Sequence, residues 1–281
     1  MIMNSKLGTF QALEVLRLVD FGAYLDGEEL GDILIPKRYL PEGCKPGDVI
    51  EVFIYLDSED RIIATTEEPL ATTGEFALLK VVSVTQVGAF LDWGLPKDLL
   101  VPFSEQKNKM QEGNWYVVYI YVDDESRRIV ATAKLDKYLD NVPPEYYFGQ
   151  EVQLMIHSKT DIGYKAIVNN IHWGMLYENE VFRTLKPGEQ LTGYIKQVRE
   201  DEKIDVSLQK PGIESAMDLS DKILLMLKEE GGFLPVTDKS SPETIYSVFG
   251  ESKKNYKKAV GMLYKNRIIT IEPDGIRLNQ Q

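Results

Sequence analysis

A chain of 281 residues with 43% hydrophobic and 27% charged side chains is longer than one ordinary domain and holds apolar material for several cores, which excludes global disorder. Its 32 Lys and Arg against 44 Asp and Glu leave a formal net charge of −12, which excludes nonspecific phosphate binding by the chain as a whole and confines any nucleic-acid site to a local patch. One cysteine, Cys44, with two histidines, His157 and His172, excludes an internal disulfide and a Cys/His zinc centre, and no apolar run reaches the roughly 18 residues of a bilayer span.

In chain order, the first signal is a repeat. Phe21-Gly22-Ala23-Tyr24-Leu25-Asp26 recurs 66 residues later as Val87-Gly88-Ala89-Phe90-Leu91-Asp92, and at that shift Asp32-Ile33-Leu34-Ile35-Pro36 becomes Asp98-Leu99-Leu100-Val101-Pro102. After one inserted residue, Ala64-Thr65 becomes Ala131-Thr132. A third, weaker copy keeps Gly163, Lys186-Pro187-Gly188 and Ile204-Asp205-Val206-Ser207-Leu208. In every copy two glycines stand 25 residues apart, 22/47, 88/113 and 163/188.

Each copy reads as five short strands. In the second they are Ala77 to Thr85, Ala89 to Asp92, Asp98 to Pro102, Trp115 to Val122 and Arg128 to Ala133, apolar and β-branched with turn formers between them. Gly88 and its counterparts sit where a strand must bend to close a small barrel, which favours a residue without Cβ. Five strands closing in this order make an OB barrel. Breaks at Pro69, Pro143-Pro144 and Pro211-Gly212 give domains at 1–68, 69–141, 142–212 and 213–281. Residues 1–70 carry 6 basic and 14 acidic side chains (−8), whereas 213–281 carry 10 of each.

Beyond Pro211 the period changes to three and four. Leu219, Ile223, Leu224 and Leu227 stripe a first helix ending at Gly231-Gly232. A second helix spans Pro242 to Phe249 behind Ser241 as N-cap, and a third follows Ser252 with Tyr256, Ala259, Val260 and Leu263 on one face. Two strands, Ile268 to Ile271 and Ile276 to Leu278, close a winged helix-turn-helix. The fold expected is mainly β with a C-terminal α+β domain: three tandem five-stranded OB barrels, then a winged helix.

A strand ending in Phe-Gly-Ala-Tyr-Leu, a Gly-Asp-Val at Gly47 and the closing Asp57 to Ile62 resemble the RNA-binding OB domain named after ribosomal protein S-one. Three such domains before a winged helix resemble the conserved virulence factor B (CvfB) family of bacterial RNA-binding regulators. The resemblance implies a ligand face of two aromatics on the second strand, an aromatic or His on the third, and an Asp and an Arg from the last hairpin. The matching residues are Phe21, Tyr24, Leu34, Asp57 and Arg61 in the first copy, and Val87, Phe90, Leu100, Asp123 and Arg127 in the second. In the third copy they are Ile162, Lys165, Tyr177, Arg199 and Lys203.

No copy has the full set. With aliphatic residues at the third-strand position, the first two copies read as weaker sites, in which Phe21, Tyr24, Arg61, Phe90 and Arg127 either touch RNA or cover a spacer that contacts protein. The third interleaves Lys165, Lys196, Arg199 and Lys203 with His172, Trp173 and Tyr177, a mixture that suits stacked, single-stranded bases and their phosphates. The competing reading makes Trp173 core and the lysines solvated.

The strongest local signal is the last helix. Residues 252–267 hold Lys253, Lys254, Lys257, Lys258, Lys265 and Arg267 without one acid, +6 in a chain of −12. Lys253, Lys254, Lys257 and Lys258 cluster on one side of the helix that enters a groove in helix-turn-helix modules. The carboxylate runs Asp123-Asp124-Glu125 and Glu200-Asp201-Glu202 read as hairpin charges, and no P-loop, Rossmann glycine pattern or nucleophile elbow occurs.

The expectation is therefore a non-enzymatic cytoplasmic protein, with no cofactor, metal or membrane, that binds single-stranded RNA through the third barrel and the winged helix. Regulation after transcription is implied by the resemblance. Two rivals remain: a scaffold whose acidic N-terminal barrels dock a basic protein partner, and a DNA-binding regulator using the winged helix alone.

Overall fold

The repeat becomes three closed five-stranded barrels in a computed structural model, which describes residues 6–181, 183–209 and 219–279. The first is built from β1 (Phe10–Val19), β2 (Gly22–Asp26), β3 (Asp32–Pro36), β4 (Val49–Leu56) and β5 (Ile62–Thr65). The strands run in the order β1-β2-β3-β5-β4; β4 closes onto β1, and β3 and β5 are parallel. The second barrel repeats this with β6 (Phe76–Val84), β7 (Gly88–Asp92), β8 (Leu99–Pro102), β9 (Trp115–Val122) and β10 (Ile129–Thr132). The third does so with β11 (Glu151–Thr160), β12 (Gly163–Val168), β13 (His172–Tyr177), β14 (Gln190–Val198) and β15 (Ile204–Ser207). Closure leaves no open sheet edge in any of them.

The fixed glycine interval now has a cause. Gly22, Gly88 and Gly163 open the second strand so close to the third that a Cβ would lie 2.0 Å from Ile35 O, 2.2 Å from Val101 O and 1.9 Å from Leu176 O. The second glycine of each pair, Gly47, Gly113 or Gly188, has φ of +92°, +83° or +78°, a region that favours glycine. Its N–H donates to Val15 O, Val81 O or Ile156 O at 2.8, 2.9 and 2.7 Å. Each of those carbonyls belongs to the residue where the first strand bulges against the second. One glycine permits close approach, and the other pins the incoming fourth strand to the bulge.

Gly163→Ala is therefore expected to destabilise the chain by about 2 kcal/mol or more, since backbone must move to admit the methyl. Gly261→Ala is the contrast: it lies inside a helix with nothing within 4 Å of an added Cβ, and should stabilise by roughly 0.5–1 kcal/mol. Denaturant midpoints of the two variants check both signs, and equal midpoints would remove this account of the interval.

The barrels share cores. Phe53 and Tyr55 of the first pack into one cluster with Leu79, Leu91 and Trp93 of the second, and Trp93 stands edge-on to Phe53 at 5.8 Å. At the tip of the first barrel's last hairpin, Asp60 accepts from Lys97 Nζ at 3.0 Å and from the Arg128 guanidinium. Phe76, Val117, Leu135 and Leu139 of the second barrel cluster with Met155 and Ile167 of the third. Residues Met1–Leu208 form one compact unit and Gln209–Gln281 another. The expected break at Pro211-Gly212 lies outside the described residues.

The second unit is a winged helix of α1 (Leu219–Glu229), β16 (Phe233–Leu234), α2 (Pro242–Phe249), α3 (Lys253–Lys265), β17 (Ile269–Ile271) and β18 (Ile276–Leu278). Ser241 Oγ accepts from Thr244 N at 3.1 Å and Ser252 Oγ from Asn255 N at 3.2 Å, so both expected N-caps form. Tyr256, Ala259, Val260 and Leu263 are buried as the helical period requires, around a core that also holds Ile223, Leu227, Ile245 and Phe249. Sequence periodicity missed β16, two residues long, which pairs with β18 to make a three-stranded sheet.

Candidate nucleic-acid interface

In the first barrel the second-strand aromatics sit together. Phe21 is 58% exposed and meets Tyr24 edge-on, with ring centroids 6.5 Å apart. The outer face of Tyr24 is already taken by Arg17 of β1, whose guanidinium carbon lies 4.3 Å from the ring centroid and whose Nη1 pairs with Asp32 at 2.7 Å. The beginning of the hairpin ties Arg61 to Asp57 through Nε at 2.8 Å. A base stacking on Tyr24 must displace Arg17, and this cation was not among the sequence candidates. Its signal is the position of Arg17 in β1, directly opposite Tyr24.

Strand register corrects two correspondences. In the second barrel β10 begins one residue after Arg128, as β5 begins one residue after Arg61, and Asp123 N donates to Arg128 O as Asp57 N does to Arg61 O. Arg128 rather than Arg127 thus holds the place of Arg61; the inserted residue lengthens the loop, and Arg127 takes φ +59° within it. In the third barrel Lys165 pairs with Met175, just as Tyr24 pairs with Leu34 and Phe90 with Leu100. Met175 is the counterpart on the third strand, and Tyr177 lies two residues further along, opposite Gly163.

The third barrel divides its candidates between two places. At one, β13 and β15 run parallel with Met175 beside Asp205, where the other barrels place Leu34 beside Ile63 and Leu100 beside Val130. Asp205 is 3% exposed and accepts from Arg199 Nε at 2.9 Å, Arg199 Nη2 at 2.7 Å, Gln197 Nε2 at 2.6 Å and Tyr177 Oη at 3.3 Å. Arg199 also donates to the Tyr177 hydroxyl. Burial pushes the Asp205 carboxyl up, but the hydrogen bonds from Arg199 and Gln197 outweigh it and hold the group below the ordinary carboxylate range. Tyr177 is half-buried, and Arg199 keeps 36% of its side chain in solvent, enough to meet a phosphate.

At the other place, Trp173 faces the second barrel. Its Nε1 donates to Asp136 Oδ1 and its N–H to Asp140 Oδ1, both at 2.9 Å, and Lys165 Nζ sits 3.6 Å from its ring centroid. Burial and the like charge of Lys107 lower the Lys165 ammonium below its ordinary value, opposed by Asp136. His172 is 4% exposed, held between Tyr146 Oη at 2.9 Å and Val142 O at 2.8 Å. Lys196 pairs with Glu180, and Lys203 with Asp201 at 2.7 Å, on exposed surface where such pairs contribute little and open readily. The structure therefore joins Tyr177 to Arg199, and Lys165 to Trp173, and it sets His172 into the framework.

On the winged helix, Lys253 is part-buried and donates to Ser240 O at 2.7 Å, so it braces the loop before α2. Lys257 lies 3.8 Å from Asp238 with half its side chain exposed. Lys254, Lys258, Lys265 and Arg267 are exposed. No helix of the described residues is long and apolar enough to cross a membrane, and these residues hold no group of three or more His, Cys, Asp or Glu placed to bind a metal ion.

Comparison with known proteins agrees with this layout. Residues 7–67 and 73–134 match the S1 domain family, and residues 221–278 match the CvfB-like winged helix domain. The uncharacterized protein YitL of Bacillus subtilis is 29% identical over 265 residues, 90% of this chain and 87% of that protein. Conserved virulence factor B of Staphylococcus saprophyticus is 26% identical over 284 residues, 98% of this chain and 95% of that one, and the Staphylococcus aureus protein matches to the same extent. A crystal structure of a multidomain protein with nucleic acid binding domains from Streptococcus pneumoniae is 24% identical and aligns over 98% of this chain and 99% of its own, with a TM-score of 0.42. The matched families are nucleic-acid-binding and regulatory domains, not enzyme families.

Proposed function

Since the chain belongs to the conserved virulence factor B family, with S1 barrels ahead of a CvfB-like winged helix, we propose that it is a non-catalytic cytoplasmic regulator that binds single-stranded RNA. The reading takes 1–68, 69–141, 142–212 and 213–281 as its domains and gives RNA contact to the third barrel and the winged helix, each by its own surface. The observation that carries it is α3 and its flanks, where residues 252–267 include six cations and no acid in a chain of −12 and five of the six are exposed. Such a patch supplies the electrostatic part of affinity, while Tyr177 beside Arg199 offers a ring and a cation to an unpaired nucleotide.

Titration of the full chain with single-stranded RNA, duplex RNA and duplex DNA of equal length tests this. Single-stranded RNA should bind tightest, because aromatic side chains have little to stack on in a closed duplex. Preference for duplex DNA would make the chain a DNA-binding regulator instead. A second reading rests on the first barrel: residues 1–70 at −8 suit a basic protein partner, and failure of all three nucleic acids to bind would make that scaffold the better account.

A further inference from the structure

The second barrel carries a concavity that none of the positions implied by the family pattern uses. Between β8 and β9, a 3-10 turn Phe103–Glu105 leads into a loop whose residues Phe103, Gln106, Lys107, Asn108 and Lys109 line a depression of about 360 Å³. Phe103 is 44% exposed, and Lys107, Asn108 and Lys109 are exposed. The loop is preset: Gln106, 8% exposed, donates from Nε2 to Val101 O at 3.1 Å and accepts from Met110 N at 3.0 Å, while Met110 lies in the core at 4% exposure. A buried, satisfied amide fixes both ends of the segment and so fixes where its lysines project.

The repeat shows that the barrel itself does not demand these residues. At the 66-residue shift the first barrel has Leu40, Pro41, Glu42 and Gly43 in place of Gln106, Lys107, Asn108 and Lys109. The third, 75 residues on, has Val181, Arg183 and Thr184 in place of Gln106, Asn108 and Lys109. The same framework closes without the amide staple and without the lysine pair. Charge separates this concavity from two others: the cleft around Phe90 is lined by Asp60 and Asp98, and the groove beside α3 by Glu251, whereas no carboxylate lines this one. Positive charge extends beyond the loop, since Lys107 lies close enough to disfavour the charged forms of Lys165 and His157 on the third barrel.

We infer that this depression is a nucleotide subsite for single-stranded RNA, with a base stacked on Phe103, its edge met by the Asn108 amide and its phosphate held by Lys107 and Lys109. The inference rests on the RNA-binding reading above and adds to it a contact on the second barrel. An exposed ring beside two cations and one amide fits a single nucleotide of a flexible strand.

The test uses the full chain and fluorescence anisotropy with a labelled 12-nucleotide single-stranded RNA of mixed sequence. Lys107→Gln with Lys109→Gln should weaken binding about fivefold to twenty-fivefold at 0.1 M salt and flatten the slope of log affinity against log salt by roughly one unit. Phe103→Ala should weaken it by about fivefold to a hundredfold with an unchanged slope, and Phe103→Tyr should restore most of the loss. All these positions are exposed, so melting temperatures should hold, and Phe103→Tyr guards against a fold defect in the alanine variant.

Unchanged affinity and slope in these variants, while removal of the α3 lysines weakens binding, would overturn the subsite and leave the RNA-binding reading standing. A chain that binds no RNA at all would overturn both. If the lysine pair governs binding of a poly-glutamate peptide but not of RNA, the loop is a protein-docking site and the inference fails.

Discussion

Changing Lys254, Lys257 and Lys258 together to glutamine is expected to weaken single-stranded RNA binding by about a hundredfold at 0.1 M salt and to flatten the salt slope by about two units. Each lysine that meets a phosphate releases roughly 0.7 of a counterion from a single strand, a factor of about five at that salt. Three such contacts multiply to about two orders of magnitude, less whatever Lys257 already spends on Asp238. Lys253 is left in place, because its ammonium holds Ser240 O and its loss would mix a stability effect into the binding measurement. The triple variant should melt within about 0.5 kcal/mol of the parent, as exposed substitutions usually do. The DNA-regulator alternative expects the same lysine dependence with duplex DNA as the better ligand. An unaltered slope would leave α3 without a nucleic-acid role.

The second large effect concerns stability in the third barrel. Arg199→Ala removes two of the four hydrogen bonds to Asp205 and strands a carboxylate that is 3% exposed. Breaking a fully buried pair costs about 3–5 kcal/mol; since Arg199 is itself 36% exposed and water can enter behind it, about 2–3 kcal/mol is expected. The direction of the pH dependence follows from the depressed carboxyl of Asp205. A group whose folded pKa lies below its unfolded value of about 3.9 contributes stability that is present above pH 4 and lost as pH falls through the folded pKa. The gap between parent and variant should accordingly be widest near neutrality and narrow below pH 4, which urea melts at pH 7 and pH 3.5 would measure. A gap that widened in acid would contradict the charged network.

What the sequence made legible was set by period and spacing. The 25-residue glycine interval encoded three backbone approaches, and the 66-residue shift carried strand limits across copies to within a residue. The helical faces of α3 and both serine caps followed from i, i+3 and i+4 logic. What stayed hidden depended on register or on contacts distant in sequence. A one-residue insertion moved the hairpin arginine from Arg127 to Arg128, and nothing local in the third copy distinguishes Met175 from Tyr177. Asp205 looked like an ordinary polar position in an alternating strand, and only the parallel pairing of β13 with β15 reveals it as the anchor of Arg199. Trp173 and Lys165 meet because Asp136, 37 residues before the indole, is carried against it by the neighbouring barrel.

Trp93 gives the tandem a property that a string of separate modules lacks. Its indole is 3% exposed, edge-on to Phe53 of the first barrel, with Nε1 donating to Lys97 O at 2.6 Å. Lys97 in turn reaches across to Asp57 O at 2.6 Å. The two barrels cannot swivel apart without wetting that ring and opening a shared core, so they move and melt as one cooperative body. The spacing between their outer faces is fixed before any ligand arrives, and in a variant with Trp115 and Trp173 changed to Phe the red shift of Trp93 emission reports the moment that body comes apart.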